Sequence, residues 1–211
     1  MMRYLAVSWF LIALATGAAE ASKSTFAKGM QLAEAGQTAE AVTIFLKLSQ
    51  EGDPLAQVNL AVLQALGRGV PQDDVSAAYW AWRARFAGED QAITLAEYLL
   101  ARLTEPAQKR LAERLEQDLQ VLAADGDVTA FLSLGRVALE LRSPAQEAKA
   151  LEWLSLAAAF EVPKATLLRD AVALRLEQST RLSVQEKTIH AFAKWCATLP
   201  NHIRIPTCPS R

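Results

Sequence analysis

His190, Cys196, His202 and Cys208 are all the histidines and cysteines of this 211-residue chain, and they follow one another at six-residue steps near its C-terminus. Imidazole and thiolate are zinc ligands, yet structural zinc sites carry at least one close ligand pair, two to five residues apart. Six residues turn a helix by about 600°, so neighbours at this spacing on one helix do not share a face. The two cysteines suit a disulfide better, provided the chain meets an oxidising compartment. Such a bond would close a loop through Leu199-Pro200 and Pro206 and pin the C-terminal tail, contributing about 3 kcal/mol. Their spacing is far too wide for a C-x-x-C redox pair. No G-x-S-x-G elbow, phosphate-cradling loop or dinucleotide fingerprint occurs, and Gly67-Arg68-Gly69 lacks the further glycines of one. Carboxylates are frequent but scattered. Arg110, Glu113, Arg114 and Asp118, for example, recur at helical spacing and read as a solvated face. These residues point to a disulfide between Cys196 and Cys208, with no catalytic residue, cofactor or metal.

Helices must position whatever this chain presents. Alanine and leucine dominate, glycine (9) and proline (8) are sparse, and that composition favours an all-α fold. A formal charge of −1 and a pI near 6.2 offer no attraction to nucleic acid. Self-similarity organises the rest. Ala56, Ala92, Ala130 and Ala165 lie 36, 38 and 35 positions apart, each four residues after a break at Gly52, Gly88, Gly126 or Glu161. A period near 36 residues is that of a stacked helical solenoid. Helices are expected over 56–66, 92–103, 130–141 and 165–176, with second helices between them. Trp80 and Trp153 take equivalent places in two second helices. Each has alanine three before and four after it (Ala77 and Ala84; Ala150 and Ala157), a frame that lets helices approach while the indole fills the gap. Gly67 should end a helix in the left-handed conformation. Asp73 or Asp74 should cap the next helix, and Asp53 with Pro54 should start another.

The run Gly52-Asp53-Pro54-Leu55-Ala56-Gln57-Val58-Asn59-Leu60-Ala61, then Gly67-Arg68-Gly69-Val70-Pro71-Gln72-Asp73, then Ala77-Ala78-Tyr79-Trp80, resembles the Sel-one-like repeat, a relative of the tetratricopeptide repeat. A second unit, 126–161, keeps Gly126-Asp127, Ala130, Leu134-Gly135 and Ala150-Leu151-Glu152-Trp153. Residues 88–125 are degenerate, and 24–51 look like an initial helix pair turning at Gly36-Gln37. Helices at 105–125 and 183–199 are read as second helices of degenerate units, the last capping the array. The resemblance implies a right-handed all-α solenoid. It further implies an adaptor or regulator that binds a peptide or protein partner, by analogy with exported members. A β-lactamase-like or cell-wall-associated activity is the alternative in another class, but Ser133-Leu134-Gly135-Arg136 lacks the lysine of S-x-x-K and no K-T-G accompanies it. An envelope stress sensor is a third reading; His190 and His202 alone would titrate near neutrality.

In tetratricopeptide-type arrays the first helices line the concave surface. Placing Leu60-Ala61, Leu95-Ala96 and Leu134-Gly135 at equivalent close-packing positions selects three sets of groove residues. These are Val58, Val62 and Leu66; Ile93, Glu97 and Leu100; and Leu132, Arg136 and Leu139. The same apolar stripes would serve as inter-repeat core, and burial decides between the two. The N-terminus reads as an export signal. It has Arg3, an uncharged apolar run from Tyr4 to Ala15, and Ala19-Glu20-Ala21 before a cut between Ala21 and Ser22. The run is short for a membrane anchor, and no second apolar span follows. The expected organisation is a signal peptide at 1–21, a solenoid at 22–200 and a tail at 201–211, in a periplasmic mature chain of undefined oligomeric state.

Overall fold

The computed structural model describes residues 22–199 and 205–208, and there it contains ten helices and no strand. The first, α1, is described from 22 to 34. It is followed by α2 (Thr38–Gln50), α3 (Pro54–Leu66), α4 (Asp74–Phe86) and α5 (Gln91–Arg102). Then come α6 (Glu105–Ala124), α7 (Thr129–Glu140), α8 (Glu147–Ala159), α9 (Ala165–Ala173) and α10 (Gln178–Thr198). The chain divides between Thr104 and Glu105 into two compact units. The division falls inside the degenerate 88–125 repeat, so α5 closes the first unit and α6 opens the second. The proposed signal peptide, its cleavage site and His202 lie outside the described residues.

One turn is used repeatedly. At Gly36, Gly52, Gly88, Gly126 and Glu161 the backbone enters the left-handed region. That residue's N–H returns to the carbonyl three residues back, and the next N–H to the carbonyl five back. Gly52 N donates to Ser49 O (3.2 Å) and Asp53 N to Leu48 O (3.0 Å); Glu161 N donates to Ala158 O and Val162 N to Ala157 O (both 3.0 Å). This Schellman closure satisfies carbonyls that a helix end otherwise leaves unpaired. At the last four of these turns the residue four positions on drops into the interior. Ala56, Ala92, Ala130 and Ala165 are all buried there. The start of α3 follows the expected chemistry: Asp53 accepts from Ala56 N at 2.9 Å, and Pro54 occupies the first turn. Gly67 closes α3 with φ 64°, and Asp73, rather than Asp74, caps α4 through Val75 N and Ser76 N. Asp74 instead accepts from Arg102 Nη2 at 3.1 Å, tying α5 to the start of α4.

In the first unit α4 packs on both α3 and α5. It is buried almost all round, with Ala77, Ala78, Tyr79, Trp80, Ala81, Trp82 and Ala84 inside. In the second unit α8 takes the same central place, against α7, α9 and α10. The alanines framing each tryptophan, Ala77, Ala84, Ala150 and Ala157, are all buried, but the two indoles differ. Trp80 is buried, whereas Trp153 is half-buried, stacked near Phe131 (5.8 Å) with the Lys149 ammonium 4.4 Å from its ring centre. An aromatic cluster of Phe131, Phe160, Phe192 and Trp195 joins α7, α8 and α10. The Trp195 Nε1–H donates to Ala123 O at the end of α6 (2.8 Å). Just beyond, Cys196 and Cys208 are disulfide-bonded with Cα atoms 5.5 Å apart, fixing the tail to α10. The expected start of this helix at Ser183 is corrected: α10 begins at Gln178, and Ser183 lies inside it.

Candidate partner-binding face

The sequence-derived groove residues separate into two sets, six on α3 and α5 of the first unit and three on α7 of the second. On α3, Val62 and Leu66 are 37% and 57% exposed, and on α5 Ile93 is 42% exposed. Val58 is different. It is 9% exposed and packs where α3, α4 and α5 meet, against Ala84 and Ala92, so it is a core residue and presents no surface to a partner. The reason is geometric: Ala84 and Ala92 are small enough to bring the three helices together over it. Leu100 is half-buried. Tyr98, at 56% exposure, is a further exposed aromatic on α5 that spacing alone did not select, its hydroxyl accepting from Arg102 Nη1 at 3.1 Å.

Glu97 does not stand free in this surface. It accepts from Arg85 Nη1 of α4 at 2.8 Å, and the Arg85 guanidinium also lies 4.6 Å from the Trp82 ring centre. Arg136 is likewise held, its Nε donating to Glu140 Oε1 at 2.7 Å one turn away. Both charges expected to mark the groove are therefore neutralised inside the chain, leaving apolar contact as what the exposed face offers. On α7, Leu132 and Leu139 lean on the second unit's core of Ala138, Ala150, Leu151, Leu154, Val172 and Val184. They belong more to packing than to a surface. Val62, Leu66 and Ile93 thus remain as exposed apolar residues on two first helices that touch one another.

Among the described residues no group of three or more His, Cys, Asp or Glu is placed to hold a metal ion. His190 is exposed on α10, and the Cys196 and Cys208 sulfurs are engaged with each other. Among the described residues, no helix is long and apolar enough to cross a membrane. A cavity in the second unit, between α8, α9 and α10, escaped sequence reasoning. Arg181, before the start expected at Ser183, is a helical residue of α10 that lines this cavity.

No family model and no curated protein matches this chain. Among solved structures it is similar to c5321, described as "a protective antigen present in uropathogenic Escherichia coli strains displaying an SLR fold". Identity is 16%, the TM-score is 0.30, and the match covers 84% of this chain and 46% of that one. The present chain thus spans less than half the length of that protein. The helix–turn–helix architecture implied by the Sel-one-like resemblance stands on the helices and Schellman turns of this chain itself.

Proposed function

We propose that this chain is an exported, non-catalytic interaction module that binds a peptide or protein partner on the α3–α5 face of its first unit. In this reading residues 1–21 are a signal peptide removed between Ala21 and Ser22. The mature periplasmic chain consists of the helical array, 22–200, and a short tail. The observation that carries the proposal is the exposure of Val62, Leu66 and Ile93 on adjoining first helices. Exposed apolar side chains at helical spacing suit an apolar helix or an extended apolar segment. The internal pairing of Glu97 with Arg85 argues for a partner recognised mainly by shape and apolar contact. A disulfide supports export, because such bonds persist in oxidising compartments.

The test is a photo-crosslinking residue placed at Leu66 in the native host. A discrete adduct that disappears on Ile93→Asp, while the helical circular dichroism signal persists, supports the face. Adducts that survive Ile93→Asp, or none at Leu66 alongside adducts from a crosslinker elsewhere, reject it. Val58→Asp is unsuitable for this purpose, since a carboxylate in the core would unfold the first unit.

A further inference from the structure

Within the second unit, α8, α9 and α10 border a cleft of about 600 Å³ that is open to solvent, with Ile189 on its rim exposed. It arises from a splayed helix pair. Both α9 and α10 pack on α8, yet they barely approach each other, unlike α3 with α4 or α7 with α8. From α8, Leu151, Ser155 and Ala159 line the cavity; the last two are short and leave its floor low. Ala173 of α9 and Ile189 and Phe192 of α10 also line it. Phe192 is held by the Phe160 ring, 5.2 Å away centre to centre, so that wall is fixed.

The charged groups are few and unequal in state. Arg169 and Asp170 satisfy one another, with Nε 2.8 Å from Oδ1. Arg181 has no carboxylate within ion-pairing distance among the described residues. Its Nη1 donates to Ala173 O (3.3 Å) and Leu176 O (3.1 Å), at and just beyond the C-terminal end of α9. Those bonds orient the guanidinium and leave the donors on Nε and Nη2 for something else. The cavity is thus an apolar trough with one oriented, uncompensated cation at its side. A volume of this size is ordinary for a small-molecule site.

We infer that this cavity binds an amphiphilic carboxylate, a single aliphatic chain whose head group pairs with Arg181. Charge selects the head group: the Arg169–Asp170 pair cancels, so Arg181 leaves the site with a net positive charge. The walls select the tail. A peptide lying along Leu151, Ala159, Ala173, Ile189 and Phe192 would bury backbone N–H and C=O groups with few partners. Ser155, Gln185 and Thr188 are the neutral polar side chains at hand, and the Thr188 hydroxyl already donates to Val184 O (2.8 Å). An alkyl chain has no such groups to satisfy. This site is in the other unit from the α3–α5 face and does not depend on that face having a partner.

The experiment is calorimetric titration of the full mature chain, disulfide intact, with decanoate, decylamine and decanol. Decanoate should bind saturably at one site and more tightly than decylamine. Arg181→Gln should weaken decanoate by about tenfold or more, the scale of a charge-assisted pair, with decanol unaffected. Ala159→Trp, at the exposed end of α8 and remote from the hydrogen bonds of Arg181, should weaken decanoate and decanol together. It also keeps the test decisive if Arg181→Gln loosens α9 in a thermal melt. Equal binding of decylamine, or undiminished decanoate binding by Ala159→Trp, overturns the proposal. Tighter binding of a short apolar peptide with a free C-terminal carboxylate overturns the aliphatic assignment, as does decanoate uptake that never saturates.

Discussion

Glu161 is where a glycine stands in the three equivalent turns before Ala56, Ala92 and Ala130, and it takes φ 57° all the same. A side chain in the left-handed region costs roughly 1–2 kcal/mol, because Cβ crowds the following carbonyl. Lys164, at φ 69°, repeats the strain three residues later, just before α9. Glu161→Gly should therefore stabilise the chain by roughly 1 kcal/mol, after allowing for the looser unfolded chain, and raise the melting temperature by a few degrees. An unchanged or lowered melting temperature would show that the turn is not strained. Gly69 makes the opposite case. A Cβ there would lie 2.4 Å from the Thr38 carbonyl carbon, at a φ of 79° that is already unfavourable. Gly69→Ala is expected to cost about 3 kcal/mol, against about 1 kcal/mol for Gly52→Ala, where nothing stands within 4 Å. Urea denaturation of both variants measures that difference directly.

Side-chain size governs how closely α7 approaches α8. At Gly135 an added Cβ would fall 2.7 Å from Leu154 Cγ, so the two helices meet only because position 135 has no side chain. Gly135→Ala should destabilise by about 2 kcal/mol even though alanine is the better helix former. Combining it with Leu154→Val should recover part of the loss. The coupling in a double-mutant cycle, read by chemical denaturation, then reports the contact. Strictly additive losses would mean the helices separate without feeling one another. The sequence exposed this junction as Leu134-Gly135 aligned with Leu60-Ala61. Most helix boundaries were also legible there to within a residue or two, since Gly, Asp and Pro act through local backbone chemistry; the end of α9 was an exception, because the helix expected over 165–176 stops at Ala173 with no glycine or proline to mark it. The start of α10 was not legible either. No capping side chain marks it, and Glu177 makes no side-chain cap hydrogen bond. That helix is held instead by distant packing, through Trp195, Phe192 and Val184.

Across the chain, the two compact units differ in how they are secured. The second contains the disulfide and the aromatic cluster; it also has the Glu116–Arg142 pair, whose hydrogen bonding holds the Arg142 guanidinium above its usual pKa against the opposing effect of burial. Replacing Cys196 and Cys208 by serine should lower the stability of that unit by about 3 kcal/mol. Amide hydrogen exchange should speed up in the C-terminal half of α10 while α3 and α4 exchange as before. Acceleration throughout α2–α5 would contradict this localisation. Mass spectrometry of the chain recovered from its native envelope tests the export reading; an N-terminus at Ser22 is expected, and an intact Met1 would reject it.

Turns, caps and the alternation of alanine with bulky residues are local, because each depends on backbone conformations and spacings within a few residues. The all-α architecture, the buried marker alanines, the left-handed glycines and the helix pairs could be read from those signals. Exposure cannot be read that way. Val58 and Val62 lie one turn apart on one helix and have the same side chain, yet the first is sealed beneath Ala84 and Ala92 and the second faces solvent. The pairing of Glu97 with Arg85 and the trough beside Arg181 are of the same kind. They depend on which helices meet and which splay apart, and only the packing of separate helices on one another decides that.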